Sequence, residues 1–476
     1  MKLLEQWDEL VVPEDLVYFR NSEGHEGHLV TNPELAAWCL LTAPELKVLQ
    51  ALAQPGAGLP QGTAPAEAER TLARVILKFI VYLPGRRPKV RPPDPQLSTV
   101  YYAITDGCNL RCPYCYASSE KCLPGELSTE ESLDLMDQIA AMGVRTVIFT
   151  GGEPMLRKDL FRVAEYARGL GLAVNVISNG TLIRRPETAR RISGIFHTVT
   201  VSMDGGTAET HEQTRGRGTF ARTARGLRLL NDAGVIPTIN HVVTPDNVDV
   251  LDKLCEFAAD LKIRQVRLMY HSDLGRAASD EYDFGWTEFQ KIEEFIWTNP
   301  MAKNLLPDGP KGAKPCSIKG NCGMGGNEIY VNSLGDVYPC KLVTKPLHRA
   351  GNVRHQRLAD LFTSPLLENL RGSNVFSGEN LRDCRHCYIR AACGGGCRAY
   401  HMAETGDIHR NGRHLCRILR RSMITNWWVA AGATGRQLAE HRDEMFRPLL
   451  VRDDSVHPVH EDWKTGGRRL LPIVPA

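Results

Sequence analysis

Three cysteines, Cys108, Cys112 and Cys115, stand at C-x3-C-x2-C spacing in the stretch Thr105-Asp106-Gly107-Cys108-Asn109-Leu110-Arg111-Cys112-Pro113-Tyr114-Cys115-Tyr116. The stretch is a turn directly after an apolar run. Three thiolates on one short loop suit an iron-sulfur cluster better than zinc. Structural zinc takes four ligands, whereas a cubane cluster held by three cysteines keeps one iron open for a non-protein ligand. Taken alone, the three are also compatible with core thiols or a zinc knuckle.

Eight further cysteines lie between 316 and 416: Cys316-x5-Cys322, Cys340 after Ser333-Leu334-Gly335-Asp336-Val337-Tyr338-Pro339, then Cys384-x2-Cys387-x5-Cys393-x3-Cys397, and Cys416. Eight thiolates suffice for two four-ligand sites, and zinc ribbons account for that number as well as clusters do. With 14 cysteines in 476 residues and a reducing compartment expected, metal sites are favoured over disulfides. Cys39 and Cys255 sit in apolar surroundings that read as helical, which means burial. Cys122 reads as a spare thiol.

Alternating strands and helices must position the first loop. Strands are expected at 98–105, 145–149, 173–178, 197–202, 235–243 and 265–270, with amphipathic helices at 129–142, 160–170, 220–233 and 248–261 between them. Six such repeats mean a parallel sheet with right-handed crossovers, and chemistry belongs at the C-terminal ends of its strands. The polar and glycine-rich segments fall there: Thr150-Gly151-Gly152-Glu153-Pro154, Ser178-Asn179-Gly180, Ser202-Met203-Asp204-Gly205, and Arg215 in His211-Glu212-Gln213-Thr214-Arg215-Gly216. Glycines let backbone approach closely, a carboxylate complements a cation, and an arginine fork suits a carboxylate.

Upstream, residues 1–95 carry short strands at 16–20 and 28–31 and helical periodicity at 43–52 and 66–83, a small winged-helix pattern ending in a proline-rich linker. Such a domain can add a peptide to its sheet edge, simply cap the barrel, or act as a DNA-binding wing, although no basic recognition helix is visible. The composition shifts after Asp280, so the chain divides into 1–95, 96–300, 301–420 and a tail, 421–476, without readable chemistry. Lys+Arg 58 against Asp+Glu 55 leaves +3, which predicts neither nucleic-acid nor membrane binding. No apolar run approaches the roughly 20 residues of a membrane span, and the start turns acidic too early for a signal peptide. A cytoplasmic protein is expected.

The motifs together resemble the radical S-adenosylmethionine enzymes with a C-terminal SPASM extension, a likeness covering about residues 98–420. The resemblance implies a partial (β/α)6 barrel with an N-terminal winged-helix-like domain and a C-terminal cysteine-rich domain. It implies S-adenosylmethionine and three 4Fe-4S clusters. Cys108, Cys112 and Cys115 would hold the cluster that cleaves the cofactor to a 5'-deoxyadenosyl radical. Cys316, Cys322, Cys340 and Cys397 would hold one auxiliary cluster, and Cys384, Cys387, Cys393 and Cys416 the other. Tyr114 would lie against the adenine, Gly151, Gly152, Glu153 and Pro154 would bind the methionyl ammonium, and Ser178, Asn179 and Asp204 would face the cofactor. Ser202 and Arg215 would hold its carboxylate, with Asn240 and Met269 lining the same cavity. His271 is either a proton donor or an ordinary barrel histidine.

Members with two auxiliary clusters act oxidatively, mostly on peptides or proteins. Sulfatase-maturing members carry an aspartate directly after the hairpin cysteine, where this chain has Lys341, so formylglycine formation is the alternative. The first reading is a maturase that cross-links a ribosomal precursor peptide through a thioether or carbon-carbon bond. It would be fed by flavodoxin or ferredoxin, and no substrate base is assigned. An iron-sulfur DNA-binding regulator is the remote third reading.

Overall fold

The computed structural model describes residues 3–21, 26–89, 96–271, 274–279, 285–305, 318–376, 381–440 and 445–461. Cys316, the lysine-rich 307–314 segment and the basic Gly466-Gly467-Arg468-Arg469 run lie outside the described residues. The chain begins with β1 (Val17–Phe19), β2 (His28–Asn32) and β3 (Ala37–Leu41), then α1 (Ala43–Leu52) and α2 (Pro65–Leu77). Thr42 and Glu45 close a capping box on α1, and Pro65 opens α2 where a missing N–H costs nothing.

The six expected barrel strands are β4 (Thr99–Thr105), β5 (Thr146–Gly151), β6 (Ala173–Ser178), β7 (Thr198–Ser202), β8 (Thr238–Val243) and β9 (Gln265–Tyr270). All pair in parallel in chain order. Along β6, Val174, Val176 and Ser178 are buried alternately with half-buried neighbours, as the period of two requires. Helix α3 (Thr129–Ala141) starts at Ser128, whose side chain accepts from Glu131 N at 3.1 Å while Glu131 accepts from Ser128 N at 2.7 Å. This is the partial (β/α)6 barrel, and its β4 edge is extended. β10 (Glu328–Val331) pairs with β4 in parallel, followed by β11 (Asp336–Tyr338) and β12 (Gly351–Asn352), giving a nine-stranded sheet.

The end of the chain returns to its beginning. β13 (Leu449–Leu450) pairs with β1, so the N-terminal sheet runs β13-β1-β2-β3. One apolar core joins Val17, Phe19 and Leu29 of that sheet to Tyr388, to Trp427 and Trp428 of the helix Arg413–Ala430, and to Phe446. Trp428 Nε1 also donates to the Met445 carbonyl at 2.7 Å.

Four expectations shift. Cys39 is buried but sits on β3, not a helix: the turn after Asn32 folds Ala37–Leu41 back on β2. The helix expected over 66–83 stops at Leu77 because Phe79 adopts φ +56 and Tyr82 bridges to Val11. The fifth barrel strand begins at Thr238, past Pro237, whose ring removes a ladder donor. The third strand of the N-terminal sheet has no counterpart among the expected elements.

Candidate active site

The C-terminal ends of β4 to β7 converge on the first cysteine loop. Its base is fixed by Glu126, whose carboxylate accepts from Thr105 Oγ1 at 3.1 Å and Asp106 N at 2.8 Å. Ser333, in the β10–β11 turn, donates to Asp106. Its far side is held by Arg276, a residue without sequence signal, which donates to the carbonyls of Cys112 at 2.7 Å and Ser119 at 2.8 Å. Burial pushes the Cys108 thiol up to about 11, with the neighbouring Cys112 and Cys115 adding to it. Burial raises Cys112 as well, against Arg215. Thiols crowded in this way become good ligands once a cationic metal centre stabilises the thiolates.

The glycine turn docks onto this loop. Gly151 has φ +125, and a Cβ there would lie 2.2 Å from the Thr105 carbonyl oxygen; one on Gly152 would lie 2.2 Å from that of Gly107. Gly152 N and Glu153 N donate to those two carbonyls at 2.8 Å each. The close approach that demands glycine is therefore to the base of the cysteine loop. Pro154 is buried at the start of the short turn that follows. Glu153 ties the second strand end to the third, accepting from Ser178 Oγ at 2.8 Å, Asn179 N at 2.7 Å and Met155 N at 3.0 Å. Burial drives its carboxyl upward, opposed by these donors and by Arg215. Asn109, inside the cysteine motif, joins the network: its amide oxygen accepts from Asn179 at 2.9 Å and its nitrogen donates to Thr181 at 2.8 Å.

Asp204 is the hub of the fourth turn. Arg215 Nε donates to it at 2.7 Å, Thr214 Oγ1 at 3.0 Å and Val242 N at 3.0 Å, and Tyr114 donates through its hydroxyl. Burial would raise the carboxyl, but the Arg215 charge prevails and brings it down to about 2. The Arg215 guanidinium also lies 5.7 Å from the Tyr114 ring centroid, and His271 meets that ring edge-on. Arg215, which the resemblance assigned to the cofactor carboxylate, is 8% exposed, with Nε and Nη2 engaged by Asp204. Ser202 is half-buried, Met269 is 38% exposed on β9, and Asn240 buries an amide oxygen that has no partner among the described residues. That orphaned acceptor fits a cofactor bearing hydrogen-bond donors.

Asp204 and Arg215 make a sharp stability prediction. Asp204→Asn leaves the buried Arg215 uncompensated and is expected to destabilise the fold by about 3–5 kcal/mol. Chemical denaturation followed by tryptophan fluorescence measures it. A change below about 1 kcal/mol would show the pair to be as dispensable as a surface ion pair.

The C-terminal cysteines also gather. Cys384, Cys387, Cys393 and Cys416 line one cavity. Burial raises Cys384 to about 11 and Cys393 to about 12, and neighbouring thiols of the set reinforce both. Burial raises Cys340 strongly, aided by Glu328 and Cys397, while Cys322 acts on Cys397. Cys397 thus lies within electrostatic reach of Cys340 and Cys322. Among the described residues, no three acidic, cysteine or histidine side chains close to single-ion distance. Four thiols lining one cavity match the ligand number of a 4Fe-4S cluster. Lys341, directly after Cys340, places Nζ 4.3 Å over the Tyr101 ring. Cys122 is exposed beside Thr105.

A partial barrel with a three-cysteine loop at its first strand end and a cysteine-rich extension on its first edge defines an iron-sulfur enzyme. Residues 102–258 match the Radical SAM superfamily, and residues 322–388 match the iron-sulfur cluster-binding domain SPASM. The chain is 31% identical over 333 residues to the AdoMet-dependent heme synthase of Methanosarcina barkeri, covering 65% of this chain and 93% of that protein. It is 32% identical over 314 residues to the mycofactocin maturase MftC of Mycobacterium ulcerans, covering 63% and 82%. The crystal structure of Streptococcus suis SuiB bound to precursor peptide SuiA aligns with TM-score 0.55 at 16% identity, over 86% of this chain and 100% of that one. The chain belongs to the radical SAM superfamily and carries the SPASM extension. It is an enzyme that uses S-adenosylmethionine, a 4Fe-4S cluster and auxiliary iron-sulfur clusters. No helix among the described residues is long and apolar enough to cross a membrane.

Proposed function

We propose that this enzyme matures a ribosomally made precursor peptide by forming an oxidative thioether or carbon-carbon cross-link. Residues 1–95 dock the peptide, 96–300 form the reacting barrel and 301–420 the auxiliary-cluster domain, while described residues of the tail, 421–476, pack on the N-terminal sheet through Trp427, Trp428, Phe446 and β13. The observation that carries the reading is the form of that sheet. β13 covers the outer edge of β1, while β3 is the last strand at the other side. A terminal strand presents unpaired backbone groups, and an extended peptide pairs with them. The SuiB–SuiA structure supports a peptide substrate for this architecture. The heme synthase likeness supports a second reading, a tetrapyrrole substrate.

In this reading Cys108, Cys112 and Cys115 hold the cluster. Gly151, Gly152, Glu153, Pro154, Ser178, Asn179, Ser202, Asp204, Arg215, Asn240 and Met269 surround the cofactor, with Tyr114 against its adenine. When bound, cluster and S-adenosylmethionine together supply a 5'-deoxyadenosyl radical able to take hydrogen from an unactivated carbon. The chain's own part is positional. Glu153 offers a buried carboxylate to an ammonium, Asn240 an acceptor to a donor, and the Asp204–Arg215 pair fixes the ring of Tyr114. Cys322, Cys340 and Cys397, with Cys316, form one auxiliary set, and Cys384, Cys387, Cys393 and Cys416 the other. An oxidative outcome needs an electron acceptor of this kind. A flavodoxin or ferredoxin supplies reducing electrons, and the protein works in the cytoplasm.

The test is anaerobic turnover of short peptides encoded beside the gene, each with and without its N-terminal leader segment. The expected product is lighter by a pair of hydrogens and forms only from the leader-bearing peptide. Equal turnover of both forms would remove the docking role of β3. Conversion of a porphyrin and of no peptide would establish the second reading.

A further inference from the structure

Two arginines, Arg390 and Arg420, line the cavity formed by Cys384, Cys387, Cys393 and Cys416. Their charges are disposed differently. Arg390 is paired toward the N-terminal sheet, with Nη1 2.6 Å from the Asp15 carboxylate and Nη2 3.8 Å from that of Glu34. Arg420, on the helix Arg413–Ala430, forms no ion pair with a carboxylate within 4.0 Å among the described residues. The groups around its charge in the cavity are Cys387, Cys416 and the ring of Tyr388. Its guanidinium lies 6.0 Å from the Tyr388 ring centroid, and Nη1 donates to the Val459 carbonyl at 3.4 Å. A hydrogen-bond donor also reaches the thiol set: Asn411 Nδ2 lies 2.8 Å from Cys384 Sγ.

A partly buried cation without a carboxylate partner is costly unless an anion sits beside it. A cluster held by four thiolates is such an anion, and it becomes more negative on reduction. A fixed positive charge and hydrogen bonds to the ligand sulfurs therefore favour its reduced form. We propose that Arg420, assisted by Asn411, raises the reduction potential of the cluster held by Cys384, Cys387, Cys393 and Cys416. The proposal rests on assigning those four cysteines to an auxiliary cluster.

The test is potentiometric titration followed by electron paramagnetic resonance on full-length, reconstituted protein, after iron, sulfide and zinc have been counted. Arg420→Gln is expected to lower one midpoint and leave the others in place. The reduced-to-oxidised ratio at fixed potential should fall about tenfold, or about 59 mV for a one-electron couple. Arg420→Lys keeps the charge and should shift the same midpoint less; Asn411→Ala should lower it by a smaller step. Unchanged midpoints in an Arg420→Gln protein of wild-type iron content would overturn the proposal. If that variant loses iron, Asn411→Ala decides: a lowered midpoint supports the proposal and an unchanged one overturns it. Zinc in place of iron in the wild-type C-terminal domain would overturn the cluster assignment and the proposal together, and the metal count shows this before any titration.

Discussion

Replacing Cys108, Cys112 and Cys115 together by alanine is expected to reduce 5'-deoxyadenosine formation to the level of an enzyme-free control. The measurement is chromatographic quantitation after incubation with S-adenosylmethionine and dithionite under anaerobic conditions. The loss should be complete because the three thiols share one loop, braced by Glu126, Ser333 and Arg276, and groups that act as a unit fail as a unit. The fold should survive, since all three side chains are only partly buried and the barrel core behind them is built from β4 to β9 and their helices. Residual cofactor cleavage above the control would sink the assignment. A circular dichroism spectrum matching wild type distinguishes loss of the cluster from loss of the protein.

Replacing Cys384 and Cys387 by alanine should separate the two halves of the reaction. Cofactor cleavage is expected to persist, while cross-linked product falls below detection. The reason is spatial: these thiols line a cavity shared with Cys393 and Cys416, outside the barrel's strand ends where the first loop lies. The relevant readouts are 5'-deoxyadenosine and peptide mass in one reaction, together with iron content. Loss of both products would mean that this cavity supports the fold. The core joining Cys387 and Tyr388 to Trp427, Trp428 and the N-terminal sheet gives that outcome a clear route, so the denaturation midpoint of the variant should be measured beside its activity.

Local pattern made much of this protein legible before any tertiary contact was considered. Cysteine spacing is covalent geometry, so the three-cysteine loop and the C-terminal run were readable directly. Each barrel strand carries its own apolar signature, and each following helix its own period and often its own cap, as at Ser128. The glycines of the Gly151-Gly152 turn were also recognisable, although the groups that crowd them, the Thr105 and Gly107 carbonyls, come from another strand end.

What escaped depends on partners far apart in sequence. A two-residue strand such as Leu449–Leu450 has no periodicity, and its pairing with β1 spans almost the whole chain. β3 was hidden because an apolar run before a helix does not declare its own period. Asp204 and Arg215 were each visible as polar residues at strand ends, but only the fold shows that they neutralise one another. Arg276 and Arg420 carry no motif at all; proximity to backbone carbonyls and thiols gives them meaning. The sequence by itself determined the alternation of strands and helices and the cysteine inventory, because propensity, period and spacing are properties of neighbouring residues, while the cofactor class came through the family resemblance its motifs carry. Tertiary structure alone decided which charges compensate each other, which sheet edge is covered and which arginine faces a set of thiols, because electrostatics and strand pairing act through space.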